Sequence, residues 1–242
     1  MQDRLRAGSE SEPPRSENAV AAPSLASLSR LAVTDADEHF SDADVTAVAN
    51  AAPFAGLRVL QLTGNDIGSE GARALATSPH LRNLEFRSLA HNPLRSVGVA
   101  ALANSANLSG LTFLDLWFTE FYDGIQALAG SPHLGKLRTL FLDRNDLGPD
   151  ALVALASSSL RSLSALDLAD NQCGLEGLRA LTASPLHSQL RVLDLTWTVF
   201  EQGDEAAEGP RGRLNNPGVR TGPRKNPFCQ LIFLLAYRAD NE

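Results

Sequence analysis

Leucine returns at the same place in this chain every 26 or 27 residues, at Leu57, Leu84, Leu111, Leu137, Leu163 and Leu190. A period of that size constrains the fold more than any other feature. It marks a stack of supersecondary units, none of which can bury its apolar face alone. The template unit is Leu57 to Leu81, LRVLQLTGNDIGSEGARALATSPHL. Its first third places Leu57, Leu60 and Leu62 in the alternation of a short strand. Ala72, Leu75 and Ala76 then take helical spacing before a Ser-Pro stop.

With Leu57 as position 1, position 4 holds Leu60, Leu114, Leu140, Leu166 and Leu193, and position 6 holds Leu62, Leu89, Leu116, Leu142, Leu168 and Leu195. Position 9 is Asn65, Asn92, Asn145 and Asn171 in four copies. The helical half recurs as ALATSPHL, ALAGSPHL and ALTASPLH. The motif LxxLxLxxN followed by GxxGxxALAxSPHL resembles that of leucine-rich repeat proteins, in particular the ribonuclease-inhibitor-like class and its bacterial relatives. The resemblance covers roughly residues 28–200. It implies an α/β solenoid, a curved horseshoe with a parallel β-sheet on its concave face and helices on its convex face. It also implies that the position-9 Asn side chains bond backbone groups along the turns as a ladder. The two glycines of the unit suit a tight connection and a close approach between coils. Pro79, Pro132 and Pro185 are expected to stop the helices.

Around the six copies, 57–200 with the last one incomplete, lie three other segments. Residues 1–24 are Ser-, Glu-, Pro- and Arg-rich without apolar periodicity and read as a disordered leader. Residues 25–56 read as a degenerate capping repeat, with Leu28, Leu31 and Val33 as its strand and Ser41 or Asp42 capping its helix. Residues 201–242 read as an irregular Gly, Pro and charged tail ending in the apolar FCQLIFLLAY. Three readings stay open for it: a cover for the edge strand 191–196, a partner or membrane-surface contact, or a sequence not selected to continue the solenoid.

Some copies break the pattern. Arg87 stands at position 4 of the second copy, where a buried charge is costly. Either its strand shifts, so that Leu84 and Phe86 point inward, or Arg87 finds a polar way out. Thr119 and Thr198 replace the ladder Asn, each beside aromatic residues, which points to local repacking. Cys173 takes position 11 and is expected to be a small buried hydrophobe.

No catalytic signature is present: GxSxG, HExxH, P-loop, GxGxxG and paired CxxC motifs are all missing from the sequence. A non-enzyme without cofactor or metal is expected. The net charge of -7 argues against general nucleic-acid binding. The N-terminus lacks a signal-peptide h-region, no apolar run reaches membrane-spanning length, and two cysteines make no disulfide framework. A cytoplasmic, reducing setting is therefore expected.

The remaining asset is a surface. Side chains at positions 3, 5, 7 and 8 are expected on the concave face. They offer Phe113, Asp115, Trp117, Phe118, Phe141, Asp143, Asp167, Asp170, Asp194 and Trp197, an aromatic centre with an acidic margin. Such a face fits a partner protein with a basic patch. The chain therefore reads as a recognition module or scaffold. The same resemblance leaves a second possibility, a regulator of an enzyme, such as a nuclease inhibitor or a GTPase-activating protein of the Ran type.

Overall fold

In the computed structural model the described residues are 27–34, 39–198 and 219–220, the last two by backbone alone. The leader and nearly all of the tail lie outside them.

Seven three-residue strands form one sheet in chain order: β1 (Arg30–Ala32), β2 (Val59–Gln61), β3 (Phe86–Ser88), β4 (Phe113–Asp115), β5 (Thr139–Phe141), β6 (Ala165–Asp167) and β7 (Val192–Asp194). All neighbours are parallel and in register, position 4 against position 4. A two-residue strand, β8 (Val219–Arg220), adds in parallel to β7. The tail thus pairs the seventh strand through 219–220; the apolar segment 228–237 lies outside the described residues.

Between strands the chain returns through helices α1 (Asp42–Asn50), α2 (Ser69–Thr77), α3 (Arg95–Ala103), α4 (Ile125–Ala129), α5 (Pro149–Ala156), α6 (Gly174–Thr182) and α7 (Pro185–Gln189). Strand leucines of positions 4 and 6 meet helix residues such as Leu75, Leu102, Leu128 and Leu155 in one continuous core. Each fully buried leucine contributes roughly 1.5–3 kcal/mol. This open α/β arrangement is a leucine-rich repeat solenoid.

The Asn ladder is present in full. Asn171 Nδ2 donates to the carbonyls of Leu142, Leu168 and Ala169, and its Oδ1 accepts from the Asn145 and Leu147 amides. Asn65 and Asn92 repeat the pattern. A second ladder runs at the helix ends. Ser78, Ser105 and Ser131 donate to the carbonyls of Ala49, Ala76 and Ala103, each one coil back. Ser78 and Ser131 also accept the amides of the next turn. The serine after the helix is therefore the stacking group in these coils, with proline behind it at Ser78 and Ser131 but not at Ser105, whereas Ser184 bonds Leu181 in its own coil.

At the helix ends one expectation changes and one is resolved. Pro185 does not stop a helix but opens one, α7, because Ser184 caps it and proline suits the first helical position. In the capping repeat Ser41 caps α1 through a reciprocal pair with Asp44. Asp42 instead reaches into the next coil, where its Oδ1 accepts the Gly68 and Gly71 amides at the start of α2. Asp42 and Asp44 thus both serve helix starts.

Arg87 takes neither route offered by the sequence. β3 keeps its register, with Arg87 directly between Leu60 and Leu114, and its side chain is fully buried. None of its three guanidinium nitrogens has a hydrogen-bond partner. Loss of solvent pushes its pKa down to about 9.

Close approach between coils depends on glycine at one place in particular. A Cβ on Gly177 would lie 2.7 Å from the Pro149 carbonyl oxygen and 2.9 Å from Leu152 Cβ. Gly148 has open space around it. Gly177→Ala should cost about 1–3 kcal/mol in denaturant titrations, whereas Gly148→Ala should be close to neutral.

Candidate recognition surface

The concave face starts from the strands, whose outward residues at positions 3 and 5 stand in columns. In the position-3 column Phe86 stacks on Phe113 with ring centroids 4.0 Å apart and nearly parallel planes. Phe141, at position 5 of the next strand, meets Phe113 edge-on at 5.3 Å. These offset and T-shaped contacts leave Phe113 at 4% and Phe141 at 5% exposure. They lie on the concave side as expected, but as the floor of the surface, covered by each other and their neighbours.

Asp115, Asp167 and Asp194 share position 5. Each carboxylate accepts the backbone amide two residues on, from Trp117, Ala169 and Thr196 respectively, at 2.8–3.1 Å. These local turns end the strands and fix the carboxylates in one column, interrupted by Phe141. Ser88 also donates to Asp115. Burial still dominates there and pushes the Asp115 carboxyl above its ordinary value, against the two hydrogen bonds that favour its charge.

Position 8 differs from the sheet-facing columns. His91, Phe118, Arg144, Asp170 and Trp197 all have left-handed backbone, with φ between 49° and 62°, and Gly64 fills the equivalent place in the template. The turn beyond each strand needs this conformation, which glycine adopts freely and the others adopt against a small strain. It carries the position-8 side chains off the sheet onto the edge where the strands end. There Phe118 is 43% and Trp197 58% exposed. His91 stacks against Phe118 at 5.2 Å and Trp117 at 5.9 Å. Asp170 is paired with Arg144, whose Nε lies 3.0 Å from its Oδ2.

The expected residues thus separate into a floor (Phe113 and Phe141), a column of carboxylates with Asp143 and Trp117 beside it, and a rim of Phe118, Asp170 and Trp197. His91 belongs to the rim as well, through its contacts with Trp117 and Phe118. Cys173 is fully buried, and burial pushes its thiol up to about 12, as suits a core residue. No group of three or more metal-ligating side chains comes together among the described residues.

A family model described as Leucine Rich repeat matches residues 57–76 and 159–181. No curated protein matches the chain. Among solved structures, an internalin from Listeria monocytogenes superposes with a TM-score of 0.48 at 22% identity, over 74% of this chain and 50% of that one. A chain of the yeast Rad7 and Elc1 complex gives a TM-score of 0.48 at 18% identity, over 76% of this chain and 44% of that one. This chain spans half or less of the length of either. The repeat unit, the Asn ladder and the two matched stretches together support a leucine-rich repeat fold.

Proposed function

We propose that this protein is a non-enzymatic recognition module that holds another protein against its concave sheet and the rim where the strands end. The observation that carries this reading is the exposure of two aromatic rings, Phe118 and Trp197, just beyond strands that end in the oriented carboxylates of Asp115 and Asp194. Large rigid aromatics flanked by oriented charge are the anatomy of binding hot spots. Seven strands spaced about 4.8 Å apart give a face about 30 Å across, enough for roughly 800 Å² per partner.

The partner offers a basic patch. Asp115 holds a carboxylate in a desolvated place, and a cation brought by the partner would relieve that cost. Binding of a cation favours ionised Asp115. Complex formation should therefore weaken as pH falls through the raised Asp115 range, with proton uptake on dissociation. Titration calorimetry in buffers of different ionisation heat reads that uptake. The setting proposed is cytoplasmic, which suits the unpaired, buried Cys173 thiol; among the described residues no helix is long and apolar enough to cross a membrane.

The test uses Phe118→Ala with Trp197→Ala, two exposed side chains whose loss leaves the core intact. Quantitative affinity capture should lose the specific partners by about thirtyfold in affinity, while the melting curve stays in place. Unchanged capture would remove the rim from the site. The carboxylate column also favours one enzyme-regulating role, inhibition of a basic nuclease, which a nuclease assay with added protein tests directly.

A further inference from the structure

Parallel strands all begin on the same edge of the sheet, so the segments leading into them gather there. Those segments bring Arg58, Arg82, Lys136, Arg138, Arg161 and Arg191, all exposed. The acidic residue in the same described segments is Glu85, and it is paired with Arg58. No carboxylate pairs with Arg82, Lys136, Arg138, Arg161 or Arg191 among the described residues. On the opposite edge the balance reverses, with Asp66, Glu120, Asp123, Asp143, Asp146 and Asp170 against Arg95 and Arg144. The net charge of -7 therefore hides a basic edge.

That edge is also hollowed. An open recess of about 520 Å³ lies across the segments leading into β2 to β5. Arg58, Arg82 and Lys136 line it, with Asn83 and Thr112 as neutral polar groups and Glu85 as its carboxylate. Gly56 and Gly110 complete the lining.

We propose that this edge is a second binding site, for a short acidic peptide segment lying extended across the strand starts and seated in the recess. From β2 to β7 the cations span five strand steps, about 24 Å at 4.8 Å each. That is the reach of roughly seven extended residues. Cations spaced along a line fit carboxylates or phosphorylated side chains along a peptide, and Arg82 offers a fork to a planar carboxylate. A single-stranded nucleic acid fits less well. The exposed aromatics Phe118, Tyr122 and Trp197 lie on segments beyond the strand ends, leaving no stacking platform on this edge among the described residues. The acidic remainder of the molecule also repels a long polyphosphate.

The experiment is fluorescence anisotropy of the full chain with a labelled peptide of about eight residues, alternating Glu and Ser. A phosphoserine version serves as a second arm to tell carboxylate from phosphate recognition. Saturable binding is expected, and Arg82→Glu with Lys136→Glu should weaken it by about tenfold or more without moving the melting curve. Phe118→Ala with Trp197→Ala should leave it within about twofold, so loss of the concave site and loss of this one are distinguishable. Absence of binding to both peptides, binding indifferent to the charge reversal, or tighter binding of an equally long single-stranded oligonucleotide would overturn the proposal.

Discussion

Replacing Arg87 with leucine should stabilise the protein by about 5 kcal/mol. The figure converts the fall of the guanidinium pKa from its ordinary value to about 9, caused by burial without a partner. The neighbours of Arg87 on both strands are leucines, so the new side chain continues an existing column. The melting temperature should rise by roughly 10–20 °C. The pH dependence carries a sign that checks the cause. A base whose folded-state pKa is depressed binds fewer protons when folded, so stability rises with pH between the two values. The penalty is complete below pH about 9 and is relieved progressively from there toward the ordinary guanidinium value. Wild type should therefore gain on Arg87→Leu as pH rises from about 8 to about 10.5, and comparing the two cancels every other titrating group. A destabilised Arg87→Leu would mean that the guanidinium has a partner in solution.

The second large effect has the opposite sign. Asn145→Ala should cost about 3–5 kcal/mol. Asn145 is 1% exposed. Its Nδ2 serves the carbonyls of Leu116, Leu142 and Asp143, and its Oδ1 accepts the Thr119 amide at 2.8 Å and the Thr119 hydroxyl at 3.3 Å. Truncation leaves buried backbone groups in two adjacent coils without partners. In a linear stack, damage at a central junction also uncouples the coils on either side. Chemical denaturation should show a lower midpoint and a shallower transition, the mark of lost cooperativity between the halves. Asn104→Ala, which removes one exposed helix-end bond, should change little by comparison.

The fold was legible because the period of 26–27 residues forces the same strand, turn and helix six times. The Asn ladder was legible through the resemblance to leucine-rich repeats that the four position-9 asparagines help to carry. Arg87 was not, because a single sequence does not weigh one buried charge against the register of a whole sheet. The strands on both sides of β3 fix its pairing, and a one-residue slip would turn every side chain of the strand over. Pro185 misled because Ser-Pro is equally a helix end and a helix start, and the difference lies in whether Ser184 caps a new helical turn. The serine ladder was visible as a recurrence at Ser78 and Ser131 but hidden beside the prolines.

The candidate site was half legible. Alternation identified Phe113, Asp115, Phe141, Asp167 and Asp194 as sheet-facing, but alternation assumes extended backbone. It fails at position 8, where left-handed residues send Phe118, Asp170 and Trp197 to the rim. Nor does it report that aromatic rings cover one another, as Phe86, Phe113 and Phe141 do. The basic edge escaped notice because its cations occupy different repeat positions and the total charge has the other sign.

Hydrogen exchange on the complex with a captured partner tests the central claim most directly. Recognition through the concave side predicts slowed exchange at the amides of 115–119, 141–145 and 194–198, with the helices α2, α3 and α5 unchanged. Protection confined to those helices, with the strand-end turns exchanging as in the free protein, would contradict it.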